Sequence, residues 1–532
     1  MIQKKIKAAA LLILIATLLV ACSENEKTSS SNKENELIYA ITKDIDDMNP
    51  HLYAGAMSAQ GVVYESLVEN TKEGIKPLLA ESWEVSKDGK VYTFHLREDV
   101  TFHDGEPFNA EAVKKNIDAV QQNKEKHSWI KLSQKIADIR VVDEYTVELV
   151  LTEPYYPALD ELSMTRPYVF ISPKDFKNGG TKDGINGYNG TGPYVLTDHK
   201  RDKNASFEAN KNYWNGKPEI NKMTAKVLPS GETTFLALQK QEVNFLFTDD
   251  RGANSIDDEA MGQLEETGYQ VVKSDPMNTK LIVANSSKKD NPVSETAVRE
   301  AIWHAVDRET ISKDLLNGSE KPAEALFSSN VKYADVELEK RDFDRKKAAE
   351  ILDGAGWQME QGSDVRTKDG KKLAMDFFYD SNSPAQKSQA EFLQASMYEI
   401  GIELSIKGEE SSSIANRRKT GDYDLLYSQT WGLAYDPQST ISAFTDISYN
   451  LHSTKGIKQA DELYKKIDQV MVSTDEEARK SLYADILTIV HDEAVFIPIT
   501  HGGVTVVAPD DLQGISFKQT QYELPFEKLN VK

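Results

Sequence analysis

The chain has a single cysteine, Cys22, which closes the only apolar run of any length in the sequence, residues 8–20. No thiol is therefore left downstream for a disulfide, a thiolate metal site or a nucleophile. The remaining body has to hold itself together by burying apolar side chains. Lys4, Lys5 and Lys7 precede the run and Ser23-Glu24-Asn25 comes after it. A basic start and a short apolar middle make a secretory signal. Crossing a bilayer permanently takes roughly 20 apolar residues, and this run falls short, so the segment directs export and is not itself the anchor.

Leu19-Val20-Ala21-Cys22 resembles a bacterial lipobox. That resemblance implies a signal peptide over residues 1–22, cleaved to leave Cys22 as the first residue with a diacylglycerol on its sulfur. The expected location is the extracytoplasmic face of the cell membrane, with lipid as the only membrane contact. Residues 23–36 (SENEKTSSSNKENE) contain no large apolar side chain, so they cannot bury enough surface to offset the entropy of ordering. They read as a tether.

The body beyond the tether is about 500 residues long, too long for one hydrophobic core and enough for two or three lobes. Lys plus Arg number 63 against 85 Asp plus Glu, a net charge of −22, which argues against a nucleic-acid surface. Helical and strand patterns alternate, the signal of α/β layering. Asn109 is placed to cap a helix carrying Val113, Ile117 and Val120 on one face. The run 373–379 reads as a strand, followed by a helix with Leu393, Met397 and Ile400 in phase, Gly401 as its stop, and a strand over 402–406. Ala460, Leu463, Ile467 and Val470 keep helical spacing. Ser473 with Glu476 reads as a capping box for the helix bearing Leu482, Ile486 and Ile489.

Enzyme motifs are missing: there is no G-x-S-x-G elbow, H-E-x-x-H, Walker loop or EF-hand loop. The nine histidines are scattered, with no i, i+4 pair, whereas a protein-built site for a bare transition metal wants three or four closely placed ligands. The expectation is a binding protein with no catalytic residues, no cofactor and no direct metal ligand.

Several segments carry a family resemblance: PLLAESWEV (77–85), DGKVYTFHLREDVTFHDGEPFNAEAV (88–113), GTGPYVL (190–196), NYWNGKP (212–218), VREAIWHAVDRETI (298–311) and FDRKKAAEILDGAGW (343–357). In this order they resemble the peptide and nickel class of extracellular solute-binding proteins, family 5. The resemblance implies a two-lobed, periplasmic-binding-protein-like α/β fold with an enlarged first lobe and a ligand cleft between the lobes. Lobe one is expected over 37–285 plus 500–532 and lobe two over 286–499, with AVFIPIT (494–500) as the return crossing. It also implies partners: the permease and ATPase subunits of an ABC importer, served by a monomer.

Within the family, NPHLY (49–53), KHSW (126–129), RPY (166–168), TWG (430–432) and YDP (435–437) resemble the nickel-binding branch. FTDDRG (247–252), DPMNTK (275–280), the stretch 417–440 and QYELPF (521–526) are similar to the staphylopine type, whose ligand is an opine metallophore complexed with nickel, cobalt, zinc or another divalent metal. By that resemblance the ligand is a metal–metallophore complex. A metal that arrives chelated needs recognition of its outer carboxylates and organic bulk, for which the planar fork of arginine is suited.

Arg166 and Arg418 are the expected carboxylate holders, one from each lobe. Trp129 and Trp431 are the expected flat walls, with Tyr53, Tyr435 and Phe444 beside them and Arg251 as a further cation. Trp83, Trp214, Trp303 and Trp357 read as core. Where the nickel type supplies a histidine, this chain has Tyr449, with His452 three residues on. Where the staphylopine type has an asparagine, it has Ser448, with Asn450 two residues away. Either the loop is shifted or the ligand differs. The competing reading is an oligopeptide receptor, which would replace the arginine pair with acidic and backbone groups for peptide termini.

Overall fold

Three larger sheets organise the described residues of the computed structural model, which are 36–248, 256, 258–430, 437–518 and 520–532. Residues 1–22, nearly all of the tether, Arg251, Trp431 and Tyr435 lie outside them.

The first sheet has seven strands in the order Tyr194–Lys200, Asn204–Ala209, Lys222–Val227, Glu36–Ile41, Phe245–Phe247, Thr505–Pro509 and Tyr269–Lys273. Glu36–Ile41 runs parallel to both its neighbours. An antiparallel four-stranded sheet, Ala80–Val85, Val91–Leu96, Thr146–Leu151 and Ile136–Asp143, belongs to the same lobe and accounts for its enlargement. The second lobe is built on six strands: Lys321–Pro322, Phe496–Gly502, Asn278–Ala284, Leu425–Gln429, Ala374–Asp380 and Glu403–Glu409.

The second sheet is buried on both faces. Ile282, Phe377, Leu425 and Ile497 pack into one core, and Leu281, Val283, Phe378, Leu426 and Phe496 into the other. Two-sided burial is why these strands read as continuous apolar runs instead of alternating ones. The chain leaves the first sheet after Lys273 and enters the second at Asn278, then returns between Gly502 and Thr505. Strand Asn278–Ala284, which a boundary at 285 leaves in lobe one, therefore pairs in the second sheet. A buried strand does not announce from its own sequence which sheet it joins.

Local readings translate directly. The helix Ala110–Gln121 starts at Asn109, whose side chain accepts from the Ala112 amide. Strand Ala374–Asp380, helix Pro384–Tyr398 and strand Glu403–Glu409 come in succession, with Gly401 at φ +84° in the turn. The helix Glu476–Asp492 differs in its cap: Asp475 accepts from Ala478, while Ser473 ends the preceding helix Ala460–Val472. Asp and Ser are comparable caps, and the length of the preceding helix decided between them.

The GTGPYVL motif shows why glycine is needed. A Cβ on Gly190 would lie 2.0 Å from the Val63 carbonyl oxygen, so the loop leading to Tyr194 can press against the end of helix Met57–Val63 only without one. That helix forms one wall of the cavity between the lobes.

Candidate functional site: an interlobe cavity

A cavity of about 790 Å³ is walled by first-lobe residues, among them Tyr53, Glu65, Trp129, Arg166, Trp214, Lys518 and Glu523, with Tyr449 of the second lobe closing on it. Tyr53 is placed by the turn Pro50–Leu52. Asn49 accepts from the His51 amide, and the chain leaves through Tyr53 at φ 57°, a left-handed conformation uncommon for a bulky residue. Its hydroxyl meets His127 Nδ1 at 2.8 Å, and its ring lies 5.1 Å from that of His127 and 5.8 Å from Trp129. Burial depresses the His127 imidazole to about 4, so at neutral pH this aromatic corner is uncharged.

Arg166 is half-buried on the segment Thr165–Tyr168. Its Nε donates to Gln60 Oε1 at 2.6 Å, and its two terminal nitrogens donate to the carbonyls of Tyr53 (3.4 Å) and Gly55. Gln60, fully buried, is itself fixed by donating to the Ala54 carbonyl at 2.6 Å. Burial lowers the guanidinium to about 10, with Glu523 partly opposing the shift, so it stays charged. No carboxylate among the described residues stands within ion-pair distance of it.

Arg418 projects from the second-lobe helix Ser411–Thr420 and donates to Asn450 Oδ1 and Ser428 Oγ, both at 3.0 Å. It too lacks an ion-pair carboxylate among the described residues, and burial is the main influence lowering its pKa. Arg418 is not itself part of the cavity lining. Tyr449 is, and it lies close enough to interact electrostatically with both Arg418 and Tyr53. A guanidinium with five donors and two neutral partners retains N–H groups for a further acceptor.

The other expected residues divide. Asn450, 8% exposed, turns inward to hold Arg418, while Ser448 is exposed and its amide donates to Asp446. His452 packs toward Gly421, with its ring nitrogens 3.3 Å from the Lys419 carbonyl and 3.4 Å from Ser287 Oγ. Phe444 is no cavity wall: it is fully buried and stacks on Phe496 at 4.7 Å in the second-lobe core. Among the described residues, no group of three or more His, Cys, Asp or Glu side chains could hold a metal ion.

Sequence reasoning missed several residues of the cavity lining. Trp214, read as core, lines it and carries Arg97 over its ring at 4.2 Å. Its indole N–H donates to Glu65, which also accepts from Tyr213 (2.7 Å) and Thr191 (2.8 Å). Burial pushes Glu65 up to about 7 against these three donors. Lys518 lies 3.6 Å from Glu523, and Glu523 accepts from Thr165. A Cβ on Gly61 would fall 2.4 Å from Glu523 Oε2, so that glycine admits the carboxylate. Trp214 and Glu523 both fall inside family motifs, 212–218 and 521–526, and motif membership was the signal available for them.

Two lobes, each with its own sheet, are joined by two short crossings, and a polar and aromatic cavity lies on the first lobe where Tyr449 of the second reaches it. The model of bacterial extracellular solute-binding proteins, family 5, matches residues 74–450. The chain belongs to that family, and the fold and family are those of non-catalytic transport proteins. It is 36% identical over 498 residues to the nickel-binding periplasmic protein of Escherichia coli K12, covering 93% of this chain and 94% of that one. It is 26% identical over 518 residues to the dipeptide-binding protein of the same organism, covering 91% and 93%. Among solved structures it is similar to NikA from Brucella suis in complex with Fe(III)-EDTA, at 40% identity and TM-score 0.89, over 93% of this chain and 100% of that one. The protein is thus an extracytoplasmic, ABC-transporter-type solute-binding protein related to nickel- and peptide-binding homologues. No helix of the described residues is long and apolar enough to cross a membrane.

Proposed function

We propose that the protein, held to the outer face of the membrane by lipid on Cys22, captures a divalent metal already complexed by an opine-type, staphylopine-like metallophore. It then presents that complex to an ABC permease. The observation that carries this reading is the pair Arg166 and Arg418: one guanidinium from each lobe, neither spent on a carboxylate among the described residues. A metal ringed by carboxylates is a net anion, which the −22 of the chain repels at long range. Two guanidiniums free of carboxylate partners among the described residues offset that repulsion locally, while Tyr53 and Trp129 offer flat faces to the organic part.

The relatives support the same reading. One is a nickel-binding protein, and another is solved with an iron chelate. Tyr449, in place of a histidine, leaves the metal to its chelator. A ligand reaching both arginines touches both lobes and so favours their approach.

Titration calorimetry at physiological salt tests this with nickel or cobalt alone, the opine alone, the preformed complex and a dipeptide. Tight stoichiometric binding is expected for the complex only. Submicromolar binding of bare metal with no gain from the opine would reveal a protein-built metal site and overturn the proposal. Preference for the dipeptide would favour the peptide-receptor reading, for which Glu65 and Glu523 supply acidic groups.

A further inference from the structure

The lobes meet at a second place, beyond the cavity wall, through a small set of groups centred on Arg479. This residue lies on the second-lobe helix Glu476–Asp492 and is fully buried. Its guanidinium is held by its own lobe: Nη1 donates to the carbonyls of Val470 and Ser473, and Nε donates to Tyr333 Oη at 3.2 Å. Tyr333 is in turn stacked on Tyr483 at 4.5 Å and 7°. The cation is thus fixed before the first lobe arrives.

What the first lobe adds is Tyr156, whose ring covers the guanidinium at 3.5 Å. Its backbone amide donates to the Met471 carbonyl at 3.0 Å. A second line of contacts runs alongside. Arg479 Nη2 donates to Gln438 Oε1 at 3.1 Å, and Gln438 Nε2 crosses to the first lobe to donate to Asp160 Oδ2 at 3.2 Å. The other oxygen of Asp160 accepts from Asn70, a residue that lines the solute cavity. Around these groups the lobes are separated by another cavity of about 780 Å³, bordered by Tyr156, Asp160, Tyr333 and Val472. The contact is therefore a few directional groups beside open space, with Met471 packed against the apolar cores of both lobes.

We propose that Arg479, Gln438, Tyr156 and Asp160 form a clasp that holds the two lobes together in the absence of solute. Opening it leaves Arg479 satisfied by second-lobe carbonyls and Tyr333, and releases the Tyr156 ring face, the Gln438–Asp160 bond, the Tyr156–Met471 backbone bond and the packing of Met471 on the first-lobe core. Such a contact biases a two-state equilibrium without locking it, because each state keeps its buried polar groups paired. Whatever the solute, the clasp adds to the closed state from outside the binding cavity, so it slows opening and release.

The test needs no solute, so its outcome is separate from the metallophore reading. Spin labels at V142C and Y398C, two exposed positions on the first and second lobes, report the interlobe distance by pulsed electron resonance in the full chain with Cys22→Ala. The unliganded parent should show a populated short distance. Tyr156→Leu and Asp160→Ala should each lower the closed-to-open ratio, by roughly tenfold for Tyr156→Leu given the size of a desolvated cation–π contact. Thermal melts close to the parent's separate loss of closure from loss of fold, and should Tyr156→Leu not fold, Asp160→Ala decides alone. A parent with no short-distance population, or folded variants with an unchanged distribution, would overturn the clasp.

Discussion

The two candidate arginines, one on each lobe, are held to different standards. On the first lobe Arg166 is tied by three hydrogen bonds, two of them to backbone carbonyls, and the buried amide of Gln60 fixes it further. Glu65 nearby is held by three donors. On the second lobe Arg418 has two neutral side-chain partners, Asn450 and Ser428, and hangs from a helix that is largely exposed. A rigid wall facing an adjustable one suits a protein in which one lobe receives a solute and the other closes on it.

The largest effect that tests this contrast is on affinity. Arg166→Ala should weaken binding of the metal–opine complex by at least about 30-fold, as expected when a carboxylate in a closed cleft loses its charged partner. It should also lower the melting temperature, because the Tyr53 and Gly55 carbonyls and the Gln60 amide lose their donor. Arg418→Ala should cost a similar factor in affinity, but with little change in melting, since Asn450 and Ser428 can turn to water. Equal losses of thermal stability in the two variants would break the comparison, and unchanged affinity in both would remove the arginines from the site.

The next effect is on stability against pH. Burial holds the Glu65 carboxyl at about 7 in the folded protein against an ordinary 4.5. The native state therefore keeps a proton that the unfolded chain releases. Its contribution to stability is full below about pH 4.5 and is lost as pH rises to about 7. Glu65→Gln should flatten that part of the stability profile, by an amount on the order of 2–3 kcal/mol. Denaturant unfolding at about pH 4.5, 6 and 7.5 measures it across the window set by the linkage. An unaltered profile would mean that the three donors and Lys518 keep Glu65 ionised throughout.

The smallest effect sharpens the second-lobe side. Asn450→Ala leaves Arg418 with Ser428 as its remaining side-chain partner and should weaken the complex by only about fivefold, the scale of one hydrogen bond. A loss as large as that of Arg418→Ala would show that Asn450 touches the solute itself.

Much of this was legible in the sequence. The two lobes came from length, alternating patterns and the family motifs, and local signals placed the capped helix at Asn109, the stop at Gly401 and a strand over 373–379, one residue from its place in the structure. Arg166, Tyr53 and Trp129 line one cavity. Those features are set by neighbours in the chain: periodicity, caps and turns act over a few residues.

Other features depend on which distant segments come into contact. Phe444 is core because Phe496 stacks on it. Asn450 and not Ser448 meets Arg418 because the loop after Thr445 turns that side chain inward. Trp214 packs against the first-lobe core and also lines the cavity, where Glu65, 149 positions away, takes its N–H. The clasp joins Tyr156 to Arg479 and Asp160 to Gln438 across the gap between lobes. A single tyrosine or glutamine carries no mark of such a partner. By itself the sequence determined a two-lobed solute-binding protein and nominated arginines and aromatic residues for its site. Only the tertiary structure decided which side chains face that cavity and which fasten the lobes, because both depend on contacts between residues far apart in the chain.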